Sequence, residues 1–484
     1  MTTPTLADHA VRYDEVPYPA LVHPQSHPRV MGAMAALFGL DPAPVATARV
    51  LDLGCATGSN LLSLAAELPD ATFVGVDLSA RQIALGRERA HALGLTNLRL
   101  DVADLADDLD LGSFDYVICH GVYSWVAPPL QRRILAHLRR HLARPHGVAY
   151  LSFNTYPGWH FGDLVRQLLL RRTSPDLPPL ARVAQARAVL TAHTAAAEDG
   201  GLHKALLLAE LELIGRSSDA YLYHEHFVAD HHPAYFEDVA AAAAAAGLTY
   251  LSNARPDQVL PGTQPPNIAA ATAALTDPVA LQQAFDHHFN NRFRRALFTH
   301  AEHTPRLGLD PRVLARLHVS LPRDREVTTA PDHGSVTNRD GRAITVHDRA
   351  LLDFLVHLRE RAPASVPLDD LVDLAHPGGR ELAGGLVGLF FAQVLDLTLA
   401  PITAAAQLPD RPRVPLLNRV QATAGEAVTS RVFVSQELDD VGRRLVPLLD
   451  GTRDIAALAA ATGEAPDLVE GLLRVYLDCS LFEG

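Results

Sequence analysis

The stretch from Val50 to Asn60 constrains the fold of this 484-residue chain more than any other segment. Its sequence, VLDLGCATGSN, predicts a buried strand, a tight glycine turn and the start of a helix. Gly54 and Gly58 give the turn backbone freedom and leave its approach clear of side chains. Such a turn presents backbone N–H groups at a helix N-terminus, where the helix dipole favours negative charge. The stretch therefore predicts a ligand site at the end of a strand.

A second apolar run, Thr72 to Asp77, ends in an acid. Asp77 follows the first strand at the distance where a doubly wound fold places its ribose-binding carboxylate. The turn itself is Gly-x-x-x-Gly preceded by Asp52, unlike the Gly-x-Gly-x-x-Gly turn of nicotinamide enzymes. Asp52 would repel a pyrophosphate, and it suits a ligand with a positive amine and sulfonium. The turn resembles motif I of class I S-adenosylmethionine-dependent methyltransferases.

Strands and helices alternate over residues 49–156, as in an α/β protein. The predicted strands are 49–53, 72–76, 97–100, 114–119 and 147–153, and the predicted helices lie near 59–68, 79–93 and 128–143. This alternation predicts a Rossmann-like, doubly wound and mostly parallel sheet with helices on both faces. Ligands of such sheets bind at the carboxyl ends of the strands.

Candidate residues follow the third and fourth strands at this edge. Asp104 can accept a hydrogen bond from an adenine amine, and the alternative is a solvated acid in an acidic segment. The loop HGVYSWV after the fourth strand is rich in aromatic residues, which are costly to expose. We assign His120 and Tyr123 to the site and place Trp125 in the pocket wall, with core packing as the alternative for Trp125. Core packing is the better interpretation of Val126.

The fifth strand ends in the segment NTYPGW. Asn154, Tyr156 and Trp159 would lie at the same edge, beside His120. Aromatic faces there can hold a cation or an alkylammonium group. A rigid, packed turn is the alternative for Trp159.

Five segments together resemble one bacterial family. They are Tyr13–Tyr18, Leu51–Gly58 with Asn60, Val74–Ser79, His120–Val126 and Asn154–Trp159. The family is that of class I methyltransferases with a methyltransferase regulatory domain, best known from protein-lysine methyltransferases that act on outer-membrane surface proteins. The resemblance runs from about residue 10 to residue 300 and is weaker towards the C-terminus. Phe153 and Thr57 depart from the family, where tyrosine and serine are common at these positions.

The resemblance implies S-adenosylmethionine as cofactor and S-adenosylhomocysteine as product. Asp52 and the glycine turn would hold the methionine end of the cofactor, Asp77 the ribose hydroxyl groups and Asp104 the adenine amine. The expected cofactor-binding residues are Asp52, Gly54, Cys55, Ala56, Thr57, Gly58, Asn60, Asp77, Leu78, Asp104 and His120. The expected catalytic residues are His120, Tyr123, Tyr156 and Glu225, and the expected substrate-binding residues are Tyr18, Trp125, Asn154 and Trp159.

The histidine-rich segment YLYHEHF, residues 221–227, alternates like a strand. His224 and His226 would then share one face, and Glu225 would point away from both. With His231 and His232 nearby, the segment suggests a metal site, but the ligand set is incomplete and we expect no metal. The resemblance adds that a His-Glu pair is usual here, so that Glu225 could orient the substrate amine.

The sequence predicts four parts. They are an N-terminal arm or lid (1–48), a methyltransferase core (49–255) with a helical insertion at about 160–217, a connecting regulatory region (256–308) and C-terminal helical, winged-helix-like domains (309–484). Tyr18 of the arm would lie near the methyl acceptor. A winged-helix order of elements occurs over 346–399 and is weakly repeated over 430–484. The basic segment Phe289–Arg295 is expected on a helix, as a solvated face or an interdomain contact.

Composition limits the partners and the compartment. The formal net charge of −13 argues against nucleic acid as a partner. Three distant cysteines predict neither a disulfide framework nor a zinc site and fit a reducing cytoplasm. We find no signal peptide and no run long enough to span a membrane. The C-terminal domains would bind protein or form a dimer.

The family resemblance implies lysine N-methylation of a protein substrate as the function. A methyltransferase for a small molecule or a peptide natural product would share every cofactor residue but needs a closed pocket. A non-enzymatic S-adenosylmethionine-binding regulator is the second alternative.

Overall fold

A computed structural model describes Val16, Tyr18 and residues 20–228 and 230–484. The other residues of the N-terminal motif lie outside the described residues. One sheet of seven strands dominates the first 300 residues, in the order β3-β2-β1-β4-β5-β7-β6. Its strands are β1 Arg49–Leu53, β2 Thr72–Asp77, β3 Leu98–Val102, β4 Tyr116–Cys119, β5 Val148–Asn154, β6 Leu248–Asn253 and β7 Phe293–His300. Strands β1 to β5 pair in parallel, and β7 runs antiparallel to both neighbours.

Helices cover both faces of this sheet. In chain order they begin with α1 Pro28–Leu37, α2 Ser59–Glu67, α3 Ala80–Ala92, α4 Pro128–His141, α5 Trp159–Arg172, α6 Pro179–Ala196 and α7 Leu202–Arg216. Those that follow are α8 Asp219–Phe227, α9 Phe236–Ala245, α10 Pro266–Thr272 and α11 Pro278–Phe289. Successive strand residues face opposite sides, so Val50 joins one buried cluster and Leu51 the other. Burial on both faces explains the continuous apolar runs. The predicted Rossmann-like, mostly parallel sheet is confirmed.

The prediction of a helix over Phe289–Arg295 is wrong. Helix α11 ends at Phe289, Asn290 takes a left-handed conformation with φ 51°, and β7 begins at Phe293. Arg294 is buried and pairs with Asp286 at 2.6 Å between Nε and Oδ2. Its guanidinium also lies 4.2 Å from the centroid of the Phe236 ring. The sequence did not predict this strand, because its arginines interrupt the apolar pattern. One of them, Arg294, is buried and paired with Asp286.

The segment 221–227 is helical, which corrects the predicted strand. The Ser218 side chain accepts a hydrogen bond from the Tyr221 N–H and begins α8. Helix α8 packs with α5, α6 and α7 around its own small apolar core, which includes Val165, Leu190 and Ile214. The predicted helical insertion is therefore confirmed, but it leads into α8 instead of a strand. The alternating arrangement expected for His224, Glu225 and His226 does not apply.

The C-terminal part contains short sheets and small helices. Its strands are β8 His318–Ser320, β9 Val327–Thr329, β10 Gly334–Thr337, β11 Ala343–Val346, β12 Val366–Pro367, β13 Asp396–Thr398, β14 Val428–Thr429 and β15 Ser435–Gln436. Its helices are α12 Pro311–Leu314, α13 Arg349–Arg361, α14 Leu368–Leu371, α15 Pro377–Phe391, α16 Leu416–Thr423, α17 Asp440–Leu445, α18 Ile455–Thr462 and α19 Pro466–Asp478. None of the helices in the described ranges has the length and apolar character needed to cross a membrane.

The hairpin β14–β15 and the loop within it pack against the methyltransferase core. Ser63 and Thr429 share a hydrogen bond of 3.1 Å between their hydroxyl oxygens. Arg29 donates to the carbonyl oxygen of Arg431 at 3.2 Å. The Val22 N–H donates to the Ser435 hydroxyl at 3.1 Å. The last domain therefore holds the segment that leads into α1.

Candidate active site

A cavity of about 760 Å³ lies at the carboxyl ends of β1, β2 and β4. The sheet edge forms one wall, and the segment before α1 and helix α8 contribute others. The cavity brings together most of the residues expected from the sequence. These are Tyr18, Asp52, Gly54, Cys55, Ala56, Thr57, Asn60, Asp77, Leu78, Asp104, His120, Trp125 and Glu225. Its volume lies in the range of ordinary cofactor sites.

The glycine turn follows β1 directly and forms part of the wall. The Gly54 N–H donates to the carbonyl oxygen of Val76 at 2.8 Å, which holds the turn against the neighbouring strand. Gly54 has φ +80°, and a Cβ atom there would lie 2.4 Å from Cγ2 of Val122. Glycine is therefore required at this position both by the backbone conformation and by the close approach of Val122.

Asp77 is oriented by the turn that it faces. Its Oδ2 accepts from the Ala56 N–H at 2.8 Å, and its Oδ1 accepts from the Ser79 N–H at 2.9 Å. These bonds fix the carboxylate at the end of β2, on the cavity wall. A carboxylate in this position suits hydroxyl groups of a ligand, because it accepts hydrogen bonds and donates none.

Asp52 is 4% exposed and is the penultimate residue of the neighbouring strand β1. Its Oδ1 has no hydrogen-bond partner among the described residues. Burial and the charge of Asp77 raise the pKa of Asp52 to about 7. A buried carboxylate beside a second acid is stabilised by a cation. The pair therefore fits the positively charged amine of S-adenosylmethionine, as expected from the sequence.

Gln82 also lines the cavity, and the sequence analysis missed it. It is 2% exposed, and its Oε1 has no partner within the described part of the chain. Its N–H donates to the Ser79 hydroxyl at 3.1 Å. The pair Ser79 and Gln82 has the spacing of a capping box, so the sequence pattern indicates a helix start and gives no sign of a ligand contact.

Two stacked histidines form a neutral wall of the cavity. The His23 and His120 rings lie 3.4 Å apart between centroids, with an interplanar angle of 17°. Nδ1 of His120 shares a hydrogen bond of 3.0 Å with the Tyr150 hydroxyl. Burial, together with the nearby Arg295, lowers the pKa of His23 to about 3, and burial also lowers the pKa of His120 well below its usual value. Both rings are therefore uncharged at neutral pH and do not repel a cationic cofactor.

The histidine His23 carries no local sequence signal, because its position depends on the path of the segment before α1. Its N–H donates to Oδ1 of Asn60 at 3.0 Å. Asn60 in turn donates from Nδ2 to the Ser26 hydroxyl at 3.1 Å. Asn60 thus supports the cavity by holding this segment against the first turn of α2.

Glu225, on helix α8, is a further carboxylic acid on the cavity wall. Burial raises its pKa to about 7, while Tyr221, Arg292 and Arg166 oppose the increase. The neighbouring His224 donates from Nε2 to the carbonyl oxygen of Val16 at 2.8 Å. Helix α8 therefore provides a titratable carboxyl group and also anchors the N-terminal segment.

Several predicted residues lie outside the cavity. Tyr123 is 4% exposed and packs in the core, with its ring centroid 5.9 Å from that of Phe153. Gly58 begins α2 behind the turn, next to Leu100. Asn154 and Trp159 contact His231, which stacks on Trp125, and the Tyr156 hydroxyl donates to Asp163. These placements argue against the predicted catalytic roles of Tyr123 and Tyr156. Val126 packs against the core cluster, as predicted, and also lines the cavity.

Asp104 lies on the cavity wall after β3, as expected. Its Oδ1 accepts from the Ala106 N–H at 2.8 Å, which orients the side chain within its own loop. Across the described residues, no group of three or more His, Cys, Asp or Glu side chains is arranged to hold a metal ion. The histidines near α8 are instead used in hydrogen bonds and ring contacts.

Comparison with known proteins identifies the domains around this cavity. Three family models match: a methyltransferase domain over residues 50–147, a predicted methyltransferase regulatory domain over 218–300 and a PKMT C-terminal winged helix domain over 410–468. The uncharacterized protein RP028 of Rickettsia prowazekii is 36% identical over 218 residues, which cover 45% of this chain and 87% of that protein. The chain belongs to the S-adenosylmethionine-dependent methyltransferases that carry a methyltransferase regulatory domain.

The methyltransferase is also similar to longer relatives. The uncharacterized protein RP789 of Rickettsia prowazekii is 35% identical over 300 residues. The aligned region covers 62% of the methyltransferase and 54% of RP789. The chain thus spans about half the length of this relative.

The methyltransferase shares its fold with a solved structure over almost its whole length. PKMT2 from Rickettsia typhi matches with a TM-score of 0.83, covering 97% of this chain and 100% of that chain at 24% identity. The structure of PKMT2 in complex with AdoHcy matches with a TM-score of 0.81. The winged helix expected at the C-terminus is confirmed, with its family match in the region where the sequence showed the weaker pattern.

The regulatory domain is part of the site in this methyltransferase. The matched residues 218–300 contain α8, which carries Glu225, and both β6 and β7 of the central sheet. The same segment therefore completes the sheet and supplies a cavity residue. The domain boundaries expected from the sequence stay a prediction.

We predict that Gly54→Ala weakens S-adenosylhomocysteine binding by about tenfold or more, because the new Cβ must displace Val122 from the cavity wall. Isothermal titration calorimetry measures the change. Gly94→Ala is the matched control, since Gly94 also has positive φ (+66°), but a Cβ there meets nothing within 4 Å among the described residues. It should lose some stability and keep its affinity. Equal affinity of Gly54→Ala and wild type would contradict the assigned role of the turn.

Proposed function

We propose that this methyltransferase transfers the methyl group of S-adenosylmethionine to the side-chain amine of lysine in a protein substrate. One observation supports the choice of an amine acceptor above the others. Glu225 is a buried carboxyl group on the wall of the cofactor cavity, and its pKa of about 7 lets it exchange a proton near neutral pH. An amine acceptor needs such a group, because an ammonium ion has no lone pair with which to attack.

The chain's own residues have three tasks in this reaction. The bound cofactor supplies a methyl group that is already strongly electrophilic. Asp52, Asp77 and the glycine turn hold the cofactor, and the neutral His23–His120 wall keeps it in place. Glu225 then accepts the proton that the lysine ammonium must lose before attack. Burial of the amine in the cavity lowers its pKa further. Alignment of the amine with the methyl group provides the remaining rate enhancement.

Aromatic rings suit the alkyl chain and the ammonium group of lysine. Tyr18 and Trp125 line the same cavity as Glu225. An ammonium group over the face of such a ring gains about 0.5–2 kcal/mol. The combination of two rings and one titratable acid therefore favours lysine over a neutral small molecule.

Similarity to known proteins also supports a protein substrate. The winged helix family is named for PKMT proteins, and the full-length structural neighbour is PKMT2. We extend that substrate class to this chain. A protein-binding or dimerising role of the C-terminal domain and a cytoplasmic location stay predictions.

The proposal is tested by incubating the purified protein with methyl-labelled S-adenosylmethionine and a lysate of its host. We expect label on a discrete protein band, and mass spectrometry should locate it on lysine. Label only in the small-molecule fraction would contradict the proposal and favour the small-molecule alternative. Binding of the cofactor without any transfer of label would also contradict it and favour a regulatory protein.

We predict that Glu225→Gln lowers the maximal rate about 100-fold or more while S-adenosylhomocysteine affinity stays within about twofold. The wild-type rate should increase with pH through about 7, because the carboxyl group must be ionised to accept a proton. The variant should lose this dependence. Initial rates of protein labelling between pH 6 and 8 measure both effects.

Glu212→Gln on the exposed side of α7 is the matched control, since it makes the same chemical change away from the cavity. It should leave the rate and the pH profile unchanged. A Glu225→Gln variant with the wild-type pH profile would show that another group accepts the proton.

A further inference from the structure

The two tryptophans of this chain contact the same histidine. The indole ring of Trp125 stacks on the His231 imidazole, with 4.8 Å between centroids and an interplanar angle of 29°. Trp159 meets the same imidazole edge-on at 4.3 Å and 65°. The His231 side chain is 1% exposed. One buried ring thus connects two aromatic residues from different parts of the fold.

Both nitrogens of this imidazole face polar groups. Asn154 donates from Nδ2 to Nε2 of His231 at 3.1 Å, so that Nε2 accepts and the ring proton lies on Nδ1. Nδ1 lies 3.4 Å from Oδ1 of Asp163. The Tyr156 hydroxyl donates to the other carboxylate oxygen of Asp163 at 3.2 Å. Asn154 therefore fixes the ring by a hydrogen bond on one side, and on the other side Nδ1 faces Asp163 without a hydrogen bond among the described residues.

Only one member of this cluster, Trp125, lines the cavity. Asn154 ends β5, Trp159 and Asp163 lie in the first turns of α5, and His231 precedes α9. These separate elements converge behind the indole ring. The other members of the cluster therefore support the cavity wall from behind Trp125.

We propose that His231 is a positioning residue that holds the Trp125 indole as a fixed wall of the methyl-acceptor site. Asn154 and Asp163 set the orientation of the imidazole, and the imidazole sets that of the indole. A wall that is already ordered loses less conformational entropy when the acceptor binds. The assignment of Trp125 to the acceptor rests on the proposed function. The ordering of Trp125 by His231 can be measured on the protein alone.

The proposal gives the strand-end residues a different role from the one expected. Asn154, Tyr156 and Trp159 do gather at the carboxyl edge of the sheet, but they reach the acceptor site only through His231 and Trp125. Direct contact with the substrate is not needed to account for them.

The test uses Trp159→Phe as background, because Trp125 is then the single tryptophan. In this background His231→Ala should increase the quenching constant of acrylamide about threefold or more, since the indole loses its stacked partner. S-adenosylhomocysteine affinity should stay within about twofold. In the otherwise wild-type protein, His231→Ala should raise the lysate concentration for half-maximal labelling about tenfold, with a smaller change in maximal rate. His231→Phe, which keeps a stacked ring, should partly restore both values.

Unchanged acrylamide quenching in His231→Ala would overturn the proposal, as would an equal loss in His231→Phe. If His231→Ala does not fold, Asp163→Asn tests the same idea at a side chain that is 32% exposed. This variant should show a smaller increase in quenching, and no increase would also overturn the proposal. If quenching changes as expected but label never reaches lysine, the positioning role stands and the proposed function fails.

Discussion

Two carboxylates at the ends of adjacent parallel strands determine what this cavity can bind. Asp52 and Asp77 both face it, and the partial burial of like charges is unfavourable without a compensating cation. Asp77 accepts hydrogen bonds from two backbone N–H groups, that of Ala56 in the turn and that of Ser79 just after β2. Asp52 has no such donor at Oδ1 among the described residues. The neutral histidines beside them supply no positive charge. Arg133 also lines the cavity, but its guanidinium lies 3.6 Å from a carboxylate oxygen of Asp108. A ligand that brings its own positive charge therefore fits this pair, as does a cofactor with an amine and a sulfonium.

The parts of the chain outside the classical sheet complete this cavity. The segment before α1 carries His23 to the cavity and is held by the C-terminal hairpin through Ser435. Helix α8 anchors the beginning of the same segment through His224 and supplies Glu225. The regulatory and winged-helix domains thus both contact the short segment that carries His23.

The sequence predicted the sheet well where apolar runs are buried on both faces. Strands β1 to β5 each begin and end within two residues of their predicted bounds. Strand β7 was missed because Arg294 and Arg295 interrupt its pattern, and only the tertiary pairing with Asp286 shows that Arg294 belongs inside. The alternation in residues 221–227 favoured a strand, but the Ser218 cap and packing against the helical insertion favour a helix. In both places, contacts with residues distant in sequence favour a structure that the local pattern does not predict.

The site was predictable to the extent that motifs at strand ends define it. Asp52, Asp77 and the glycine turn follow from spacing alone, because parallel strands end at one edge. His23 and His231 were not assigned to the site, since each reaches it through contacts far apart in sequence. Tyr123 was misplaced because a short helical turn after β4 directs its ring into the core. The residue type at a strand end thus predicts that the residue lies near the site. It does not predict whether an aromatic ring points into the cavity or into the core.

The most direct test of this account is the pH dependence of S-adenosylhomocysteine binding, measured by calorimetry between pH 6 and 8. Because Asp52 has a pKa of about 7 and must be ionised to pair with the ligand's ammonium group, affinity should increase about tenfold over this range, with release of a proton on binding. Asp52→Asn should bind weakly at every pH, with a much smaller increase. An affinity of the wild-type protein that stays constant from pH 6 to 8 would contradict the assignment of Asp52 as the group that neutralises the cofactor amine.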